Sequence, residues 1–173
     1  QGMAPEWADR LKLYKGSNIF EYYEIEAEAV SAGNRQVPLA SGGFLVIDKT
    51  EAMTVIDVNT GSFVGNISLG ETAFALNKEA AVEIMHQLRL RDIGGIVLVD
   101  FIDMEKEEHN KALLQLLRQL AQQDRTKAHV VDITALGLVE ITRKKTRHNI
   151  DNLLYRDCPV CQGSGRVLSA EAL

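Results

Sequence analysis

Two periods of hydrophobic patterning organise this sequence. Apolar residues that recur every third or fourth position predict helices, and short runs that alternate or stay apolar predict strands. The helical period runs through IFEYYEIEAEAV (Ile19 to Val30), with Phe20, Tyr23, Ile25 and Ala27 on or near the inner face. It returns in TAFALNKEAAVEIMHQLRLR, where Phe74, Ala81, Ile84, Met85 and Leu88 follow helical spacing. Ser68 and Glu71 ahead of that stretch have capping-box spacing, and Gly94-Gly95 is expected to end it. A further helix is predicted over EKEEHNKALLQLLRQLAQQ, with Leu113, Leu116, Leu117 and Leu120 as its stripe. Acidic residues crowd its first turn, where the helix dipole favours them. Among the strands, Arg10 to Tyr14 alternates and predicts a short edge strand that turns at Gly16-Ser17. RQVPLASGG is extended, because Pro38 restricts Val37, and it turns at its glycines. FLVID and AMTVIDVNTG predict an antiparallel hairpin joined by Lys49 to Glu51. GGIVLVDFIDM, AHVVDIT and LGLVEIT supply three more strands. This order gives an α/β fold, a mixed sheet flanked by helices.

Two aspartates stand out against that pattern. Asp57 follows Thr54-Val55-Ile56, and Asp100 follows Val97-Leu98-Val99. A carboxylate at the end of a buried strand needs hydrogen bonds, a cation or water. Ligand sites in α/β sheets gather at the carboxyl ends of strands. If the two strands are neighbours, two carboxylates converge there, a donor set that suits Mg2+ with water in its remaining positions. Asn59 shares a strand face with Asp57, because side chains alternate with period two, and offers an amide to a water or a phosphate oxygen. The simpler reading is also open: strand-end aspartates often just begin turns, as Asp48, Asp103 and Asp132 are expected to do.

Composition narrows the field without choosing a function. The chain has 173 residues, 46% hydrophobic and 25% charged, with a net charge of -5. That balance argues against a protein that coats nucleic acid, but not against an enzyme with local basic patches. Three such patches are present: Arg89 and Arg91; Arg125 and Lys127; Arg143, Lys144, Lys145 and Arg147. Each is a solvated face or a phosphate contact. No apolar run approaches the length that spans a bilayer, and the first ten residues hold no apolar signal core. The two cysteines, Cys158 and Cys161, form CPVC followed by QGSGR. Cys-x-x-Cys is half of a tetrahedral Zn2+ site. With no second cysteine pair and no spaced histidine pair, a complete site needs two chains that share one ion. A redox pair and inert thiols are the alternatives.

Four blocks, SGGFLVIDKTEAMTVIDVNTGSFVG, ETAFALNKEAAVEIMHQLRLRDIGGIVLVDFIDM, ALGLVEITRKKTR and CPVCQGSG, together resemble the ribonuclease E/G family, its G branch more than its E branch. The likeness runs from about Arg10 to the end. It implies a metal-dependent endoribonuclease that cuts single-stranded RNA to 5′-phosphate and 3′-hydroxyl ends, in cytoplasmic rRNA processing and mRNA decay. It implies a tail of a ribonuclease H-like segment over 1–35, a deoxyribonuclease I-like catalytic subdomain over 36–150, and a zinc link with a C-terminal tail over 151–173. By position Asp57 and Asp100 match the family's Mg2+ ligands, and Asn59 matches the asparagine beside them. Cys158 and Cys161 match its zinc link, in which two protomers share one Zn2+, so a homodimer or higher oligomer is expected. Lys127, Arg143 and Lys144 become candidate RNA contacts. The family's RNA-gripping domain and 5′-end sensor lie upstream of the matched blocks, so the chain is expected to be the C-terminal catalytic part of a longer protein. Two other readings stay open: a zinc-linked dimerisation module that is inactive alone, and a phosphoesterase acting on DNA.

Overall fold

A computed structural model describes residues 9–61, 69–145 and 154–169. The chain divides into two compact units, Gln1–Ser31 and Ala32–Leu173.

The first unit holds α1 (Ile19–Tyr22) and α2 (Ile25–Ser31). Asn18 caps α1, its Oδ1 accepting the N–H groups of Phe20 at 3.0 Å and Glu21 at 3.3 Å. The single helix expected over Ile19 to Val30 is therefore two. The break comes at Glu24, which takes a left-handed φ of 57°. The cause is visible in the stripe itself, because Tyr23, Ile25 and Ala27 are two apart and cannot keep one helical phase. Neither helix has a buried residue. Arg10 to Tyr14 forms no strand.

The second unit is built on a six-stranded mixed sheet of order β1-β2-β3-β4-β6-β5. The strands are β1 (Gln36–Pro38), β2 (Phe44–Lys49), β3 (Met53–Asn59), β4 (Gly95–Asp100), β5 (His129–Ile133) and β6 (Val139–Arg143). The β2–β3 hairpin is antiparallel, as the pattern predicts. β3 and β4 are parallel, which requires a crossover, and α3 (Leu69–Leu90) supplies it. α4 (Glu107–Gln122) then leads to β5. Ser68 of the expected capping box lies outside the described residues. α3 ends before Gly94-Gly95: the chain turns at Asp92, with φ 50°, and Ile93 N–H bonds the Leu88 carbonyl at 3.0 Å. Gly95, with φ 98°, instead opens β4.

Alternation along the strands sorts the sheet into two faces. Leu45, Ile47, Ile56, Val58, Val97, Val99, Val139 and Ile141 are buried, in one core with Leu76, Ala80, Ile84, Leu88, Leu113 and Leu117 from α3 and α4. Met53, Val55 and Asn59, with Leu98, lie on the opposite face and are half-buried, while Ile96 is exposed. Among the described residues, the helices cover one face, and the other is half-buried to exposed.

Candidate metal and RNA site

The parallel register places Asp57 directly opposite Asp100, with Ile56 opposite Val99 just before them. Adjacent strands are ~4.8 Å apart, so the two carboxylates sit side by side at the carboxyl end of the only parallel pair among the described strands. Both are exposed, while Ile56, Val58 and Val99 beside them are buried. The pleat therefore pins each backbone through its apolar neighbours and turns each carboxylate out on the open face. Asn59 stands two residues on, and its Nδ2 donates to Asp57 Oδ2 at 2.9 Å. That bond orients Asp57 and leaves its other oxygen available.

Like charges at directly paired positions of a sheet repel. A hard divalent cation between them reverses that repulsion, and two carboxylates with no soft ligand are chemistry that suits Mg2+. Among the described residues, no group of three or more His, Cys, Asp or Glu converges on one point. A cation here would thus take most of its ligands from water or substrate, as Mg2+ commonly does. Asp103 lies beyond the strand in the β4–α4 connection and is exposed; the paired register does not include it.

Glycines shape the rim beside Asp57. A side chain at Gly43 would place its Cβ 2.8 Å from the Asn59 carbonyl oxygen. At Gly61, with φ 57°, a Cβ would lie 2.4 Å from the Gly42 carbonyl oxygen. The β1–β2 turn thus packs its backbone directly on the end of β3. On the next rim segment, Lys106 bonds Glu71 at 2.8 Å. The His109 ring stacks on Phe74 with centroids 4.2 Å apart. These contacts fasten the first turns of α3 and α4 together.

The basic candidates lie elsewhere. Arg143 pairs with Gly95 at the start of β4, five residue steps from Asp100, roughly 17 Å at strand rise. Its side chain is only 3% exposed. Nε donates to Asp124 Oδ2 at 2.8 Å, one terminal nitrogen to Asp92 Oδ1 at 2.8 Å and the Ile93 carbonyl at 3.0 Å, and the other to Thr126 Oγ1 at 2.9 Å. Arg143 is committed to the interior rather than to a phosphate-facing surface. The reason is that β6 alternates: Val139, Ile141 and Arg143 all point inward, and a guanidinium in that phase must find carboxylates. Burial favours the uncharged form of Asp124, but the Arg143 hydrogen bond and the Thr126 N–H outweigh it and hold its carboxyl below the ordinary range.

Lys127 and Lys144 are exposed. Lys127 takes a left-handed φ of 57°, and its N–H bonds the Asp124 carbonyl at 3.0 Å. With Arg118 and His129 it lines an open cleft of about 390 Å3. Lys145 packs over Gly94 and Gly95, so Lys144 belongs to the same end of the sheet as Arg143. Arg147 lies outside the described residues.

Cys158 and Cys161 occupy a tight turn in which Gln162 N–H bonds the Cys158 carbonyl at 2.7 Å and Ser164 N–H bonds the Cys161 carbonyl at 2.9 Å. Gln162 and Gly163 both have positive φ, 50° and 85°. Backbone N–H groups of Cys161 and Val160 donate to Cys158 and push its thiol below the ordinary range. N–H groups aimed at sulfur stabilise a thiolate, the form that binds metal. Both thiols are free. One chain supplies two of the four donors that a structural Zn2+ site takes.

Sequence patterning missed two contributors, Asn77 and Gly43. Asn77 is fully buried and joins α3 to the segment after Asp100 by two hydrogen bonds with Ile102. Its signal was an amide in phase with the apolar stripe Ala73, Leu76, Ala80 and Ala81. Gly43 carried no signal beyond a turn, because its role depends on contact with a strand distant in sequence.

No helix among the described residues is long and apolar enough to cross a membrane. A model of the Ribonuclease E/G family matches residues 1–146. Ribonuclease G of Haemophilus influenzae is 48% identical over 170 residues, covering 98% of this chain and 35% of that protein. Ribonuclease G of Escherichia coli is 47% identical with the same coverage. Ribonuclease E of Escherichia coli is 41% identical, covering 98% of this chain and 16% of that protein. The chain thus spans about a third of the length of the ribonuclease G relatives it matches. At this identity, across nearly its whole length, the chain belongs to the ribonuclease E/G family.

Proposed function

We propose that this chain carries the metal-binding centre of a Mg2+-dependent endoribonuclease that hydrolyses single-stranded RNA in cytoplasmic rRNA processing and mRNA decay. The observation that carries this reading is the paired register of Asp57 and Asp100, with Asn59 beside them. Both carboxylates would hold Mg2+, and Asn59 keeps Asp57 oriented for it. When bound, the ion neutralises the scissile phosphate and orients a water beside it. Attack of water on phosphorus, with cleavage of the bond to the 3′ oxygen, leaves a 5′-phosphate and a 3′-hydroxyl. Lys127 and Lys144 are the exposed cations assigned to RNA phosphates. Arg143 supports their end of the sheet from within.

The test is substitution of Asp100 by Asn in the full-length protein, with cleavage of single-stranded RNA followed against Mg2+ concentration. Loss of cleavage with unchanged circular dichroism is expected. Undiminished cleavage would remove the metal role of Asp100. Running single-stranded DNA in parallel separates this reading from a DNA-directed phosphoesterase.

A second reading rests on a different observation, the thiolate-stabilising turn at Cys158 and Cys161. In that reading two copies share one Zn2+ through these four thiols, and the chain by itself is a dimerisation module without activity. An isolated chain that dimerises with Zn2+ and does not cleave RNA supports it.

A further inference from the structure

We infer that Asn77 is a positioning residue for Asp100, and so for the proposed metal pair. This rests on the Mg2+ reading of Asp57 and Asp100. Asn77 lies on α3, the helix that follows the Asp57 strand, and has no exposed surface. Its Nδ2 donates to the Ile102 carbonyl at 2.8 Å, and its Oδ1 accepts the Ile102 N–H at 3.1 Å. Ile102 is two residues past Asp100.

The side-chain amide thus offers the donor and acceptor that a neighbouring strand would offer. Among the described residues, β4 has no ladder partner at this point: its register with β3 stops at Asp100, and its register with β6 stops at Val99. Asp100 is the last residue of its strand, and beyond it the chain must turn toward α4. Without an anchor, the final residue of a strand frays and its side chain spreads over several directions. Phe101 is buried in the core next to Asp100, and Asn77 fixes the backbone at Ile102. The clamp joins α3 to the segment that follows Asp100. A fully buried amide within an apolar stripe is retained at a cost unless its bonds are made, and here both go to the strand end that carries the ligand.

Binding of Mn2+, measured by electron paramagnetic resonance on this chain, tests the inference without relying on cleavage. Four proteins are compared: the natural chain, Asn77→Ser, Asp100→Asn, and Val130→Ala. Val130 is a buried β5 residue of the same core, so its truncation controls for a general loss of stability. Asn77→Ser is expected to weaken Mn2+ binding about tenfold while keeping a cooperative thermal transition, and Val130→Ala is expected to leave binding unchanged at a similarly lowered Tm. If Asn77→Ser fails to fold, Asn77→Asp, which keeps the acceptor toward the Ile102 N–H, takes its place with the same expectation. Natural affinity in the Asn77 variant, beside lost affinity in Asp100→Asn, would overturn the positioning role alone. Equal weakening in Val130→Ala would reduce Asn77 to an ordinary core residue. Natural affinity in Asp100→Asn would overturn the metal reading and this inference with it.

Discussion

Changing Asp57 to Asn removes one of two facing carboxylates and keeps the side-chain shape. In the absence of divalent ions, the variant should be more stable than the natural chain by about 0.2–1 kcal/mol, the usual size of a cross-strand pair effect. A rise in Tm measured in chelator, with loss of the stabilisation that Mg2+ gives the natural chain, is the expected outcome. Equal Tm values with and without Mg2+ in the natural chain would remove the case for a cation between the pair. The two aspartates and Asn59 were legible in the sequence because strand alternation has a strict period and turns Asp57 and Asn59 the same way. Their pairing was not, because the register between β3 and β4 is fixed by a crossover of more than thirty residues whose packing is not written locally. Arg143 shows the opposite error of scale. As one of a run of basic residues it read as surface, whereas its phase in β6 makes it interior. A period-two count continued past Ile141 would have found it.

The Arg143 network ties together elements that are not neighbours in sequence: the end of β6, the turn after α3 and the turn after α4. Removing the cation leaves Asp124, itself buried, without its counter-charge. Arg143→Met should cost about 3–5 kcal/mol in urea unfolding, the range for breaking a buried pair at one partner. The pH dependence follows from Asp124, whose carboxyl is held low in the folded chain. An unfolded aspartate titrates near 3.9, so the stabilisation is complete above that pH and is lost as pH falls through the lower folded value. The Asp124→Asn chain should therefore lose less stability between neutral pH and acid than the natural chain does. Gly43→Ala acts on a different joint, where the β1–β2 turn meets Asn59. Its Cβ would press on a backbone oxygen, and a cost of about 1–3 kcal/mol, with weakened Mn2+ binding, is expected. The long helices and the hairpin were readable because their stripes persist over many residues. The first predicted helix was not, since its apolar residues change phase at Tyr23 and Glu24 and the segment breaks there.

At the scale of the whole molecule, the sheet separates two kinds of chemistry. The carboxylates occupy the carboxyl end of β3 and β4, and the exposed lysines, with the Arg143 network, occupy the other end. Single-stranded RNA that meets both must span roughly 17 Å, the run of β4. Substituting Lys127 and Lys144 together by Ala should then weaken RNA binding and lower its salt dependence, while leaving Mn2+ binding and Tm unchanged. In the zinc reading, the cysteine turn would hold a second metal with a separate logic. The turn supplies two thiols per chain, so filling a four-donor site would require two chains to pair. Because backbone N–H groups lower the Cys158 thiol, protons compete with Zn2+ for it only at lower pH than for an ordinary thiol. Sedimentation of the Zn2+-loaded chain should show a dimer at neutral pH that reverts to monomer with chelator or on acidification. Cys158→Ser should be monomeric throughout yet keep the Mn2+ affinity of the natural chain. A Cys158→Ser chain that stays dimeric in chelator would place the interface elsewhere. A monomeric Cys158→Ser chain that loses Mn2+ binding would mean that the two metal sites are coupled, and that the aspartate pair is completed only when two chains meet.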